Sequence, residues 1–436
     1  LSQWQARRSV SSADAGVALV PSKGCRVYCQ AGSGITRRHN IEGQDAAQQT
    51  GVLAGASPRL HYIDWLRVLA ILGVFLFHST NVFNTMPFHI KNIEQSSVIT
   101  IVQAFFFPWG MPLFFMIAGA GTWFALKRRT STQYARERAN RLLIPFVVGS
   151  ILLSPLQLYF EWSHKVHTGV FVGSFTQFVG SLPWETSPRI FGVVGYHLWF
   201  LGFLLMFSLL ALPFFQWVRG GSGGRLISWL VRVCRHRGGI LIFAIPPLVA
   251  RLALQPFFPY EHDWADFFFL FSFFVIGYLV ISDERLREAV RRDWRITLAV
   301  GTAAFLGAMA ISLSTGELSI EAAARSPLDF LWWGLFVTCG WCWTAFTLFI
   351  GMRLLNFSNR LLNYGREAMV PFFVVHQPAI IVIAYFVVQW VAALAPKLLV
   401  VVVGAFIVSL AFYQLVIRRV GVLRVAFGMK QNIGAA

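Results

Sequence analysis

Two ionisable residues interrupt an otherwise apolar stretch, Y-I-D-W-L-R-V-L-A-I-L-G-V-F-L-F-H-S-T-N-V-F over 62–83: Arg67 near its start and His78 near its end. At ~100° per residue their separation amounts to roughly 1100°, three turns plus about 20°. Both side chains therefore lie on one helix face, with ~16 Å of rise between them. Ionisable groups inside a membrane helix are costly and point to function. Histidine is the natural general base near neutral pH, and apolar surroundings hold it uncharged and ready to accept a proton. The structural alternative is snorkelling for Arg67, aided by an ion pair to Asp64 one turn before it, and an interhelical hydrogen bond for His78. The shared face, with His78 too deep to be an interfacial anchor, favours a lined pathway.

A second constellation is Arg138-Ala139-Asn140-Arg141, followed by L-L-I-P. Two arginines at i, i+3 share a face of a helix, and paired guanidinium groups suit phosphate because each offers a planar fork. The competing reading is a pair of anchors facing lipid headgroups. Single histidines stand in Y-H-L-W-F-L (His197) and V-V-H-Q-P (His376), each by itself compatible with ordinary packing. His197 opens its apolar segment at about the depth of His78, whereas His376 falls in the inner third of its own. Pro378 is expected to kink or break that helix and to free carbonyls that need a polar environment. Arg251 lies well inside an apolar run and needs a carboxylate, a carbonyl or an anion as partner. Glu161, His164, His167 and Glu185 occupy the longest outer connection, 161–196. Cys339 and Cys342 form C-G-W-C, but in a long apolar helix with no βαβ pattern, so helix packing is favoured over redox chemistry.

These residues need a membrane scaffold. The chain has 436 residues, 56% of them hydrophobic and 13% charged, with a mean hydropathy of +0.61. That excludes an ordinary water-soluble protein and predicts an all-α polytopic membrane protein. Ten apolar segments follow a polar start, at approximately 62–83, 98–125, 142–160, 197–218, 240–258, 264–282, 296–314, 328–352, 369–394 and 398–417. Basic clusters follow the second, fourth, sixth, eighth and tenth: Lys127 to Arg141, Arg219 to Arg237, Arg285 to Arg295, Arg353 to Arg366, and Arg418 to Lys430. The other connections are neutral or acidic. The positive-inside rule then puts both termini in the cytoplasm. It also accounts for most of the net charge of +18, so the charge does not imply nucleic acid. Residues 1–58 lack periodicity and a signal-like apolar core, and are expected to be a disordered cytoplasmic tail. Because the chain opens on Leu1, an over-extended start would account for it. The expected organisation is a tail over 1–58, a membrane domain over 59–428 and a short cytoplasmic tail over 429–436.

Taken together, Arg67 with His78, R-A-N-R with L-L-I-P, H-L-W-F-L and V-V-H-Q-P resemble the membrane-bound acyltransferase-3 family. The resemblance covers about 59–428, and the layout looks most like the branch containing the glucan biosynthesis protein C, a succinyltransferase. It implies transfer of an acyl group, of the acetyl or succinyl class, from cytoplasmic acyl-CoA to a hydroxyl of a glycan, lipid or small molecule at the outer face. Arg138 and Arg141 would then hold the phosphates of acyl-CoA and Arg67 its thioester arm. His78 would deprotonate the acceptor or carry the acyl group. His197, His376, Glu161 and Arg251 would lie along the acceptor side or pore. No metal-ligand spacing is visible, and the resemblance needs none. It also implies a bacterial cytoplasmic membrane and lipids as surroundings. The rival reading from another class is a transporter or flippase of a small anionic or glycan-linked substrate, and an inactive scaffold is the third.

Overall fold

The computed structural model describes residues 60–183, 187–315 and 326–429. These belong to one compact unit, Leu60–Ala436. The expectation of disorder over 1–58 lies outside the described residues, as does Glu185.

Nine helices among the described residues are long and apolar enough to cross a bilayer, and a tenth apolar segment is shorter. We number them α1 His61–Asn81, α2 Ser97–Arg128, α3 Ser131–His167, α4 Ile190–Leu210, α5 Gly239–Leu254, α6 Trp264–Ser282, α7 Trp294–Thr315, α8 Pro327–Leu354, α9 Arg360–Val387 and α10 Leu394–Ile417. The all-α membrane architecture is as expected. The short member is α5, which begins as a 3-10 turn over Gly239–Ala244 and becomes α-helical only at Ile245. Pro246 and Pro247 fall in its first helical turn, where missing N–H groups cost least.

Small residues draw the central helices together, as membrane packing favours. A Cβ at Gly119 of α2 would land on the Phe274 carbonyl oxygen of α6, and one at Gly277 of α6 on the Met116 carbonyl oxygen of α2. The most apolar 18 residues of α6 and of α9 are 67% buried, whereas those of α7 and α10 are 28% buried. The first pair is therefore central and the second peripheral. Gly301 of α7 abuts Cys342 and Trp343 of α8. Cys339 and Cys342 are buried free thiols on α8, in keeping with a packing role.

Two helices differ instructively from expectation. α9 starts at Arg360, capped by the Asn359 side chain, nine residues before its apolar run begins. His376 therefore sits mid-helix rather than in the inner third: the polar turns from Arg360 to Ala368 continue the helix instead of forming a loop. Pro371 and Pro378 lie inside α9 without breaking it. α3 absorbs its prolines differently. It carries a π turn at Ala139–Leu143, and its helix is interrupted at Leu153, before Pro155.

Candidate active site

One end of the site is built on two consecutive residues of α2. Arg67 of α1 is held by Asp64 at 3.4 Å, and its Nη2 lies 3.0 Å from where a Cβ on Gly121 would be. Asp64 is buried and also pairs with Arg366 of α9 at 3.4 Å. One residue along α2, Thr122 Oγ1 accepts from Arg138 Nη2 at 3.3 Å and lies 2.9 Å from the Tyr134 hydroxyl. The Arg138 guanidinium lies over the Tyr134 ring, 5.2 Å from its centre. Arg67 and Arg138, far apart in sequence, thus meet α2 at one level.

Arg141 goes elsewhere. It pairs with Glu137 at 3.4 Å, and Glu137 holds Arg129 at 2.6 Å. Arg141 also lines an open pocket of about 430 Å³ with Gln133, Arg136, Asn140, Val425 and Met429. The two arginines therefore do not form a joint fork. The π turn that starts at Ala139 widens the helix between them, so i, i+3 no longer means one shared face.

Three histidines from three helices converge about three turns above Arg67. The His376 ring is 5.6 Å from that of His78 and 5.0 Å from that of His197. Phe372 stacks flat on His376, and Phe88 stacks on His78. His197 and His376 are almost fully buried, while His78 keeps partial exposure. Their tautomers follow from the backbone. His197 Nε2 lies 3.1 Å from the Phe373 carbonyl and 3.2 Å from that of Val374, and His376 Nδ1 lies 2.6 Å from the Phe373 carbonyl. A carbonyl only accepts, so these nitrogens carry protons and donate. The opposite nitrogens, His197 Nδ1 and His376 Nε2, are buried without a partner, as is His78 Nδ1. In its neutral form the cluster offers unprotonated nitrogens to an incoming hydroxyl.

Pro378 explains why the Val374 carbonyl is available. In an α-helix residue 378 would donate its N–H to residue 374, and proline has none. The expected freed carbonyl is present, and an imidazole from α4 satisfies it. α4 can supply that ring because its helix is interrupted at Tyr196, whose φ of 52° is sparsely allowed for a bulky side chain.

The opposite end is closed by loop 82–96. Phe83, Val82 and Ile90 are fully buried, and the Asn84 side-chain amide donates to Gln103 Oε1 of α2. Lys91 donates to the Asn81 carbonyl at 2.7 Å and to Asn84 Oδ1 at 2.7 Å, and its burial pushes the ammonium down to about 8. Lys397 of α10 reaches Asn92 Oδ1 at 3.1 Å. His89 meets Glu161 of α3 at 2.7 Å, and the Tyr196 hydroxyl donates to the same carboxylate at 3.1 Å. Glu161, buried at 7% exposure, thereby links the loop to the turn that carries His197. His89, Tyr196, Tyr134 and Thr122 escaped sequence reasoning, because ordinary polar residues show no signal until the packing is known.

Arg251 stands apart from the histidines. It donates to Gln255 Oε1 at 2.8 Å, pairs with Asp266 at 2.5 Å and lies between the rings of Phe269 and Trp333. Asp266, in the first turn of α6, is the carboxylate that Arg251 requires. Among the described residues, no three His, Cys, Asp or Glu side chains are grouped to hold a metal ion.

Residues 60–414 match a family model described as an acyltransferase domain. The chain belongs to the acyltransferase-3 family. Among similar curated proteins is the glucans biosynthesis protein C of Salmonella heidelberg (strain SL476), 21% identical over 338 residues that cover 74% of this chain and 82% of that protein. The protein of the same name from Salmonella paratyphi B (strain ATCC BAA-1250 / SPB7) is 22% identical over 339 residues, with the same coverage. No solved structure matches the chain. As an acyltransferase-3 protein, the chain has Arg67, Arg138 and Arg141, its three histidines and Glu161 all within the matched span.

Proposed function

We propose that this acyltransferase-3 protein is an O-acyltransferase of the bacterial cytoplasmic membrane. It takes an acyl group of the acetyl or succinyl class from cytoplasmic acyl-CoA and delivers it to a hydroxyl of a glycan or other cell-envelope acceptor at the outer face. The observation that carries this reading is the convergence of His197 and His376, from two other helices, on His78, which shares its helix face with Arg67; each of the three has an unpaired buried nitrogen. Arg138 and Arg141 at the basic end suit the phosphates of the donor, and Arg67 suits its thioester arm.

His78 accepts the proton of the acceptor hydroxyl as its oxygen attacks the thioester carbonyl. The carbon–sulfur bond breaks, its electron pair leaves on sulfur, and the same proton passes from His78 to the thiolate. An acyl-histidine formed first on His78 divides this into two steps with the same balance. The name of the Salmonella relatives, glucans biosynthesis protein C, favours a glucan among the possible acceptors.

Proteoliposomes given radiolabelled acetyl-CoA or succinyl-CoA test the reading. Label should reach an added glucan or the protein itself, and His78→Ala should abolish transfer while the variant still inserts normally. Transfer unchanged in His78→Ala would remove that residue from the mechanism. Substrate flux that ignores acyl-CoA would favour the transporter instead.

A further inference from the structure

The buried face of the outer half of α3 is polar throughout. Within Ser154–His167 the buried residues are Ser154, Gln157, Glu161 and His164, and Ser150 lies one turn below them. Leu153 keeps right-handed helical φ and ψ and bonds Gly149 and Gln157 across the interruption, so steps of four, three, four and three residues keep all five on one face. The other face carries Ile151, Leu152, Leu156 and Tyr159, which are exposed on the protein surface. This is the reverse of a soluble amphipathic helix: apolar towards lipid, polar towards the protein interior.

That face runs beside α9. A Cβ on Gly149 would lie 3.5 Å from Val374, and the ring of Phe160 is 5.0 Å from that of Tyr385. Both contacts have the same offset, so the two helices run parallel and in register. Gln377, buried at 2% exposure, is then level with the interval between Ser150 and Ser154, one residue from His376. Ser150 Oγ, Ser154 Oγ, Gln157 Oε1 and Gln377 Oε1 are all buried without a hydrogen-bond partner. Each such atom in a membrane interior is costly, and a row of four is a feature that requires a ligand.

Side chains one turn apart on a helix are separated by about 5–6 Å. A single oxygen at ~2.8 Å from each neighbour bridges that gap. We propose that this face of α3 is a file of hydroxyl-oxygen sites leading from the Glu161–His89 closure down to the three histidines. Its occupants are hydroxyl groups of the acceptor, or water in its place. The assignment to acceptor hydroxyls rests on the acyl-transfer reading, whereas the file itself does not.

The experiment is thiol accessibility in proteoliposomes, in a background with the five native cysteines replaced. Ser154→Cys and Gln157→Cys should react with the small reagent methanethiosulfonate ethylammonium at least tenfold faster than the lipid-facing Leu152→Cys and Leu156→Cys. Gel filtration in detergent identifies folded variants, and Ser150→Cys and Gln377→Cys replace either site that fails to fold. Cellotetraose serves as the probe for acceptor hydroxyls: slowed labelling assigns the file to them, and unchanged fast labelling assigns it to water. Rates no faster than the lipid-facing controls would overturn the file. Labelling needs no acyl-CoA, so failure of the transfer reaction leaves this outcome readable.

Discussion

At the scale of single residues, the two arginines of R-A-N-R invite separate predictions. Arg138 is seated on Thr122 and Tyr134 beside Arg67, deep enough to meet the donor's arm, whereas Arg141 borders the open pocket. A charge-assisted hydrogen bond contributes about 1.5–3 kcal/mol. Arg138→Ala should therefore raise the acyl-CoA requirement by about tenfold or more. Arg141→Ala, already paired with Glu137 and half-exposed, should act in the same direction but less. Initial rates against acyl-CoA at saturating acceptor measure both, and an effect confined to acceptor use would contradict the donor assignment. The arginines and histidines themselves were legible, because charge in an apolar run is conspicuous. Their partners were not: nothing marks Thr122 as the seat of Arg138, or His89 as the partner of Glu161, until α2 and loop 82–96 are folded against them.

At the scale of elements, helices are interrupted where the chemistry needs backbone. The Val374 carbonyl is free because Pro378 lacks an N–H, and His197 donates to it. Pro378→Ala would return that N–H, and it would compete with the imidazole for the same oxygen. Loss of one hydrogen bond, about 1 kcal/mol, should slow acyl transfer by about five- to tenfold with normal insertion. A rate unchanged in Pro378→Ala would mean that the Phe373 carbonyl, 3.1 Å from His197 Nε2, is enough by itself to hold that ring. The turn between α5 and α6 makes a pH prediction. His262 there packs against Trp199, its ring centre 4.1 Å away and its plane tilted by 36°, and Asp266 accepts from its backbone N–H at 2.7 Å. Burial pushes its imidazole down to about 4; Asp266 opposes that shift and Arg189 adds to it. Between about pH 6.5 and pH 4 the unfolded chain therefore binds a proton that the folded chain refuses. Stability is full above this window and falls as pH drops through it. Thermal melts in detergent from pH 7 to pH 4 should show that loss, and His262→Asn, which tolerates the positive φ of 62°, should flatten it. The apolar segments were legible to within a few residues where apolar runs and helices end together, as at Trp264–Ser282. They were not where polar turns extend a helix, as at the start of α9 and of α3.

At the scale of the whole molecule, the membrane class was readable from composition alone, and loop charge supplied an orientation. The convergence of α1, α4 and α9 was not readable, because it depends on which faces pack, and a single apolar run looks alike on every side. The orientation leads to a prediction about direction. Ile93, 94% exposed in loop 82–96, should lie outside, and Leu361, 65% exposed at the start of α9, should lie inside. In intact cells, an impermeant maleimide should label Ile93→Cys directly and Leu361→Cys only after permeabilisation. If the pattern reverses, Arg138 and Arg141 face away from the cytoplasm and cannot bind a donor made there. If it holds, function must be vectorial: sealed proteoliposomes should consume acyl-CoA supplied on the Leu361 side and acylate a glucan held on the Ile93 side. Acyl-CoA supplied on the Ile93 side should give no product, because Arg67, Arg138 and Arg141, the residues assigned to the donor, lie at the opposite end of the site from loop 82–96.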